Sequence, residues 1–146
     1  MYYVNRKQIE LILDQIPDIT AGLRTAAANW DGSTLMGFVQ ERSLHLAIEV
    51  VTDAGSCLID GFIMRDAGSY EDIISIIHEE KVFGGSEIYG KLIELVALRK
   101  PLVQDYFEWD RSALHPLTSG LSEVLEKFAL EVRNYLNQEL GSSSPQ

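Results

Sequence analysis

The stretch TLMGFVQERSLHLAIEVVTDAGSCLIDGFI, residues 34–63, decides the fold class of this chain. From Ser33 or Thr34 to Ile63 it contains no proline, and Gly55 is the single glycine well inside it. Apolar residues recur at helical rather than alternating spacing, which predicts one long helix. On a wheel of about 100° per residue, Leu44, Leu46, Ile48, Val50, Val51, Ala54, Leu58 and Phe62 cover most of the girth. Glu41, Arg42, His45, Glu49, Thr52, Asp53, Ser56 and Asp60 fall together in one arc of roughly 120°. A helix apolar over so much of its surface belongs in the middle of a bundle. Its polar ribbon is either a solvated face or the lining of a cleft or two-fold interface. In the second case Glu41, Glu49 or Asp53 would hold an arginine such as Arg99.

The flanking sequence completes the bundle. Upstream, Ile9, Ile12, Leu13 and Ile16 keep helical spacing behind Asn5, a capping residue, until Pro17 interrupts and Ile19, Leu23 and Ala26 resume. That predicts one kinked helix or two short ones, closed by the Asp31-Gly32 turn. Downstream, Ser69-Tyr70-Glu71-Asp72 has the form of a capping box before Ile73, Ile74, Ile76 and Ile77. This short helix ends near Gly84-Gly85. Ser86 is placed to cap the next one, whose stripe of Ile88, Leu92 and Val96 runs to Arg99 and should stop or bend before Pro101. Leu117, Leu121, Val124, Leu125, Phe128, Val132, Tyr135 and Leu136 mark the last helix, ended by Gly141. The expected fold is all-α, an antiparallel up-and-down bundle of four principal helices plus a short extra helix. Residues 1–141 should form a single domain and 142–146 a flexible tail.

Composition narrows the function. A chain of 146 residues with 46% hydrophobic and 23% charged content is an ordinary globular domain rather than a disordered one. Cys57 is alone and cannot form an internal disulfide, which points to a reducing cytoplasm. The N-terminus lacks a basic-then-apolar signal pattern, and no apolar run reaches the roughly 18 residues of a membrane span. The net charge of −10 disfavours long-range attraction to RNA, DNA or anionic lipid. Any nucleic-acid role therefore needs a local basic cleft on an acidic body.

The chemistry concentrates in Arg99-Lys100-Pro101-Leu102-Val103-Gln104-Asp105-Tyr106. Read plainly, this is a helix end, with Arg99 and Lys100 complementing the C-terminal dipole and Pro101 stopping the helix. Read as chemistry, an arginine and a phenol flank the place where a general base would cleave a phosphodiester, and that place holds Gln104. His45 with Glu41 and Glu49, four residues to either side, also has metal-ligand spacing. One helix supplies at most three ligands, however, and the Glu-x-x-His pattern of metal-binding bundles is not repeated elsewhere. No metal and no cofactor is expected. His78 and His115 read as surface or capping residues, and Trp30 and Trp109 as packing anchors beside turns.

Together these segments resemble the HepT-like branch of the HEPN superfamily, small helical proteins paired with minimal nucleotidyltransferases in toxin–antitoxin systems. The resemblance rests on Tyr3-Val4-Asn5-Arg6, on the Ile16-Pro17-Asp18-Ile19 kink, on Glu41 to Glu49 and on Leu98 to Tyr106. The family signature is Arg, four residues, His, one residue, Tyr. This chain matches at Arg99 and Tyr106, departs at Gln104, and has Lys100 where an Asn commonly follows the arginine. The resemblance implies a homodimer in which two Arg99 sites face each other. It implies metal-independent RNA cleavage by the arginine and histidine, and attachment of AMP to Tyr106 by the nucleotidyltransferase antitoxin. Glutamine does not exchange a proton near neutral pH, and loss of acid–base help typically costs about 10²–10⁴ in rate. The site is therefore expected to be weak or inactive, with His115 and Tyr106 the stand-ins to examine and Asp105 a repulsive neighbour for phosphate. The rival expectation is a non-catalytic helical adaptor that binds a nucleotide or a protein in the dimer cleft.

Overall fold

The computed structural model describes residues 2–141. The Asn5 side chain accepts from the Gln8 amide at 3.0 Å and starts α1 (Arg6–Leu13). The chain breaks at Asp14-Gln15 and restarts as α2 (Ile16–Ala28), with Pro17 in its first turn. Proline is tolerated there because the first amides of a helix have no internal acceptor. Of the two expected forms, two short helices is therefore the one adopted. Arg133 clips the junction from the far end of the chain, reaching Glu10 at 2.8 Å and Asp14 at 3.1 Å.

Ser33 accepts from the Met36 amide at 3.1 Å and opens α3 (Thr34–Gly61), 28 residues and roughly 42 Å long. Leu44, Ala47, Ile48, Val51, Ala54 and Leu58 on this helix are fully buried. It packs against α1, α2, α4 (Tyr70–Glu79) and α5 (Ser86–Ala97), while α2 and α5 also meet α6 (Leu121–Leu140). Phe83 and Phe128 meet edge to face inside the resulting core. The protein is thus an all-helical bundle, with no strand among the described residues.

Three local expectations change. Ser86 does not cap α5 but is its first residue, and the preceding Gly85 takes the cap position at φ 87°, where only glycine is unstrained. Leu117 belongs to a separate 3₁₀ turn (Pro116–Ser119), because Gly120 divides it from α6. α4 closes at Glu79 rather than near Gly84-Gly85, whereas α5 does end ahead of Pro101, at Ala97. The capping role foreseen for Ser69 is present, with its hydroxyl accepting from the Asp72 amide at 3.0 Å. Gly141 follows α6 at φ 84°. The tail expected over 142–146 lies outside the described residues.

Candidate active site

The segment from Arg99 to Tyr106 begins where α5 ends. Pro101 has no N–H and its ring crowds the carbonyl four residues back, so an ordinary α-turn cannot continue. The backbone widens instead. Leu102 still bonds to the Leu98 carbonyl at 2.8 Å, but Asp105 reaches back five residues to Lys100, also at 2.8 Å. Lys100–Gln104 is a π-turn, a form found mostly as a single inserted turn and often at functional sites. Leu102 is buried and fastens this turn to the core. Together with Val103 it walls a cleft of about 350 Å³ against Phe38, Glu41, Arg42 and His45 of α3.

Gln104 is exposed, and its side chain makes no hydrogen bond among the described residues. Asp105 is countered by the Lys100 ammonium at 2.6 Å, whose pKa rises chiefly through that hydrogen bond. Tyr106 begins a 3₁₀ turn (Tyr106–Glu108) and is 62% exposed, its ring edge-on to that of Phe107.

Arg99 is not held by the carboxylates expected to hold it. Its guanidinium carbon lies 4.4 Å from the ring centroid of Tyr70, and its Nε is buried without a hydrogen-bond partner. Two of the acidic residues of the ribbon, Glu41 and Glu49, are otherwise engaged. Glu41 takes both Nε and Nη2 of Arg111, at 2.5 and 3.1 Å. Glu49 stands 3.4 Å from His45 Nε2, and Arg42 lies 3.3 Å from the other ring nitrogen. Asp53 faces a second cleft, where partial burial and then the neighbouring Glu49 raise its pKa. With Glu41 turned to Arg111, the Glu41–His45–Glu49 metal arrangement does not assemble. Among the described residues no group of three or more His, Cys, Asp or Glu side chains is placed to share an ion.

The structure adds residues that the spacing of the sequence does not announce. Gln40 is fully buried. Its amide nitrogen donates to the Ala113 carbonyl at 3.1 Å, and its oxygen accepts from the His115 amide and the Thr118 hydroxyl, both at 2.8 Å. Arg111 lies 4.2 Å over the Phe38 ring, in space left by Gly37, where a Cβ would stand 2.6 Å from the Arg111 carbonyl oxygen. These contacts tie the loop after the motif to α3. His115 is the capping residue expected, with Nδ1 accepting from the Leu117 amide at 3.0 Å and the ring stacked on Trp109. Trp30 donates to the Ser112 carbonyl at 3.2 Å. His78 is packed rather than superficial, stacked 4.5 Å from the Tyr89 ring.

Residues 9–132 match the family described as ribonuclease HepT-like. A curated protein of Bacillus subtilis (strain 168), "Putative RNase YutE", is 40% identical over 144 residues, covering 99% of this chain and 98% of its own length. A solved structure described as a cytosolic protein of unknown function, YutE from Bacillus subtilis, superposes with a TM-score of 0.88. It shares 38% identity and covers 99% of both chains.

Proposed function

The chain belongs to the ribonuclease HepT-like family, and from that premise we propose a toxin–antitoxin protein whose RNA-cleaving site is kept in outline but disarmed at Gln104. The observation that carries this reading is the π-turn itself. It carries Arg99, Gln104 and Tyr106 on one short arm, with Arg99 unpaired by any carboxylate among the described residues and Gln104 open to solvent. A guanidinium free of an internal anion is available to clamp a phosphate through two parallel hydrogen bonds. Cleavage by the neighbouring 2′-hydroxyl moves that proton to a base, forms a cyclic phosphate and protonates the departing 5′-oxygen. Arg99 meets the charge that builds on phosphorus. Gln104 supplies neither proton transfer, so the rate stays low.

The remaining elements of the proposal follow from this site. Two copies pair with their Arg99 arms facing, and Lys100, Glu41, His45, Glu49 and Asp53 border the shared cleft. Tyr106 is exposed enough to receive AMP from a nucleotidyltransferase antitoxin. Residues 1–141 act as one domain, in the cytoplasm, in keeping with the cytosolic description of the YutE structure. Metal-free cleavage of RNA by wild type, Arg99→Ala and Gln104→His tests the core of this. An inactive or weak wild type and a Gln104→His protein faster by about 10²-fold or more is the expected pattern, and silence from both defeats it. AMP on Tyr106 after incubation with ATP and a cognate nucleotidyltransferase, read by mass, tests the partner.

A second reading is favoured by the net charge of −10 together with Gln104. In it the protein is an adaptor that binds a nucleotide or a protein without cutting. A Gln104→His protein that binds RNA and leaves it intact would select that reading.

A further inference from the structure

A cleft of about 510 Å³ lies between α3 and the loop entering α4, bordered by Asp53, Ser56, Gly68, Ser69 and Tyr70. Its volume is in the range of small-molecule pockets, about 300–1,000 Å³. Tyr70 connects it to the motif, since the same residue lines the cleft and underlies the Arg99 guanidinium at 4.4 Å. A ligand held by its phosphate at Arg99 is therefore within reach of this cleft across Tyr70.

The groups lining the cleft differ in what they leave open. The Thr52 hydroxyl donates to the Ile48 carbonyl at 2.8 Å, the Gly68 amide to Asp72 at 2.9 Å, and Ser69 Oγ accepts from the Asp72 amide. What stays open is the Asp53 carboxylate, which enters none of the ion pairs among the described residues, with the Ser56 hydroxyl and the part of the Tyr70 ring that Arg99 does not cover. Partial burial and Glu49 raise the Asp53 pKa, so its anion gains from any donor that arrives. A carboxylate repels a phosphate and takes two adjacent N–H groups. The orientation follows, with phosphate at Arg99 and a donor-bearing base at Asp53.

We infer that this cleft is a nucleobase subsite for guanine, read by Asp53, in the single-stranded RNA whose phosphate Arg99 holds. The inference rests on the ribonuclease reading above. Of the four RNA bases, guanine alone sets two N–H donors side by side on its pairing edge, at N1 and N2. Adenine and cytosine place a ring acceptor beside the amino group, and uracil flanks its single N–H with two carbonyls. Unpaired bases are read in this way, by their pairing edge and by stacking on aromatic side chains.

The test is an NMR titration of the full chain with guanosine 3′-monophosphate, adenosine 3′-monophosphate and inorganic phosphate, following the Ser56 and Gly68 amides. Guanosine 3′-monophosphate is expected to bind at least about tenfold tighter than the other two. Asp53→Asn should erase that preference, and a short single-stranded RNA with one guanine should compete. Equal affinities, a preference that survives Asp53→Asn, or failure of the RNA to compete would each overturn the subsite. A Gln104→His protein that cuts RNA without regard to guanine also removes the subsite, yet leaves the ribonuclease reading standing. Guanine-selective binding by a protein whose Gln104→His form cuts nothing keeps the subsite as a binding site and removes that reading instead.

Discussion

Arg111 forks onto Glu41, its Nε and Nη2 standing 2.5 and 3.1 Å from the two carboxylate oxygens, across 70 positions of sequence. Glu41 is the more enclosed partner, with its side chain 15% exposed against 36% for Arg111. An enclosed carboxylate that loses its cation is left uncompensated, which costs more than the pair itself contributes. Arg111→Ala is therefore expected to lower the melting temperature more than the double variant Arg111→Ala/Glu41→Ala. Additive losses in a thermal double-mutant cycle would show that the two side chains act independently.

Gln40 should be the most costly polar residue to replace. Gln40→Leu leaves the His115 amide, the Thr118 hydroxyl and the Ala113 carbonyl without the partners they now have. Each unsatisfied buried group costs about 1–3 kcal/mol. The Thr118 bond is buried and the other two are part-buried, so a loss of about 1–3 kcal/mol in urea denaturation is expected, and a change below about 1 kcal/mol would mean that water replaces the amide.

Gly37→Ala sets two effects against each other. Alanine favours a helix interior by about 1 kcal/mol over glycine. Here the added methyl would overlap the Arg111 side chain and stand 2.6 Å from its carbonyl oxygen. Overpacking costs about 1–3 kcal/mol, so crowding wins and the variant should melt lower than wild type. A higher melting point would show that the 110–115 loop yields freely.

His115 gives the fold an acid limb. Burial lowers its pKa below the ordinary 6.5, with Glu94 opposing more weakly. Its Nδ1 must also stay unprotonated to accept from the Leu117 amide. The unfolded chain therefore takes up the proton first, and stability falls as pH drops from about 6.5 toward the lower folded value. His115→Asn keeps a capping acceptor and does not titrate. Its stability should be flat between about pH 6.5 and 5, and an unchanged slope would assign the acid limb to another group.

The sequence was informative where a single period or a cap governs structure. The buried face of α3, the caps at Asn5 and Ser69, the break at Pro17 and the stop at Gly141 all follow from local rules of this kind. The end of α5 ahead of Pro101 follows too, but the π-turn after it does not, because the proline rule says where a helix stops and nothing of the turn that comes next. Arg111 and Gln40 were out of reach for a different reason. Their partners lie some 70 residues away, and nothing in the wheel of α3 distinguishes Glu41, which faces Arg111, from Glu49, which faces His45. Tyr70 was legible as part of a capping segment, but its place beneath Arg99 depends on how α4 and α5 pack.

The gap of four residues between Arg99 and Gln104 is also an angle. At about 100° per residue an α-helix would leave the two side chains roughly 140° apart around its axis. A turn that closes five residues back, as Asp105 does onto Lys100, is wider and makes that angle smaller. The widened backbone at Pro101 therefore aims the arm, whatever residue stands at position 104. Pro101→Ala would lift the block on the tighter pitch and turn position 104 relative to Arg99. The reactive group at position 104 can be exchanged by one substitution, whereas its bearing is set three residues earlier, by the proline that widens the turn.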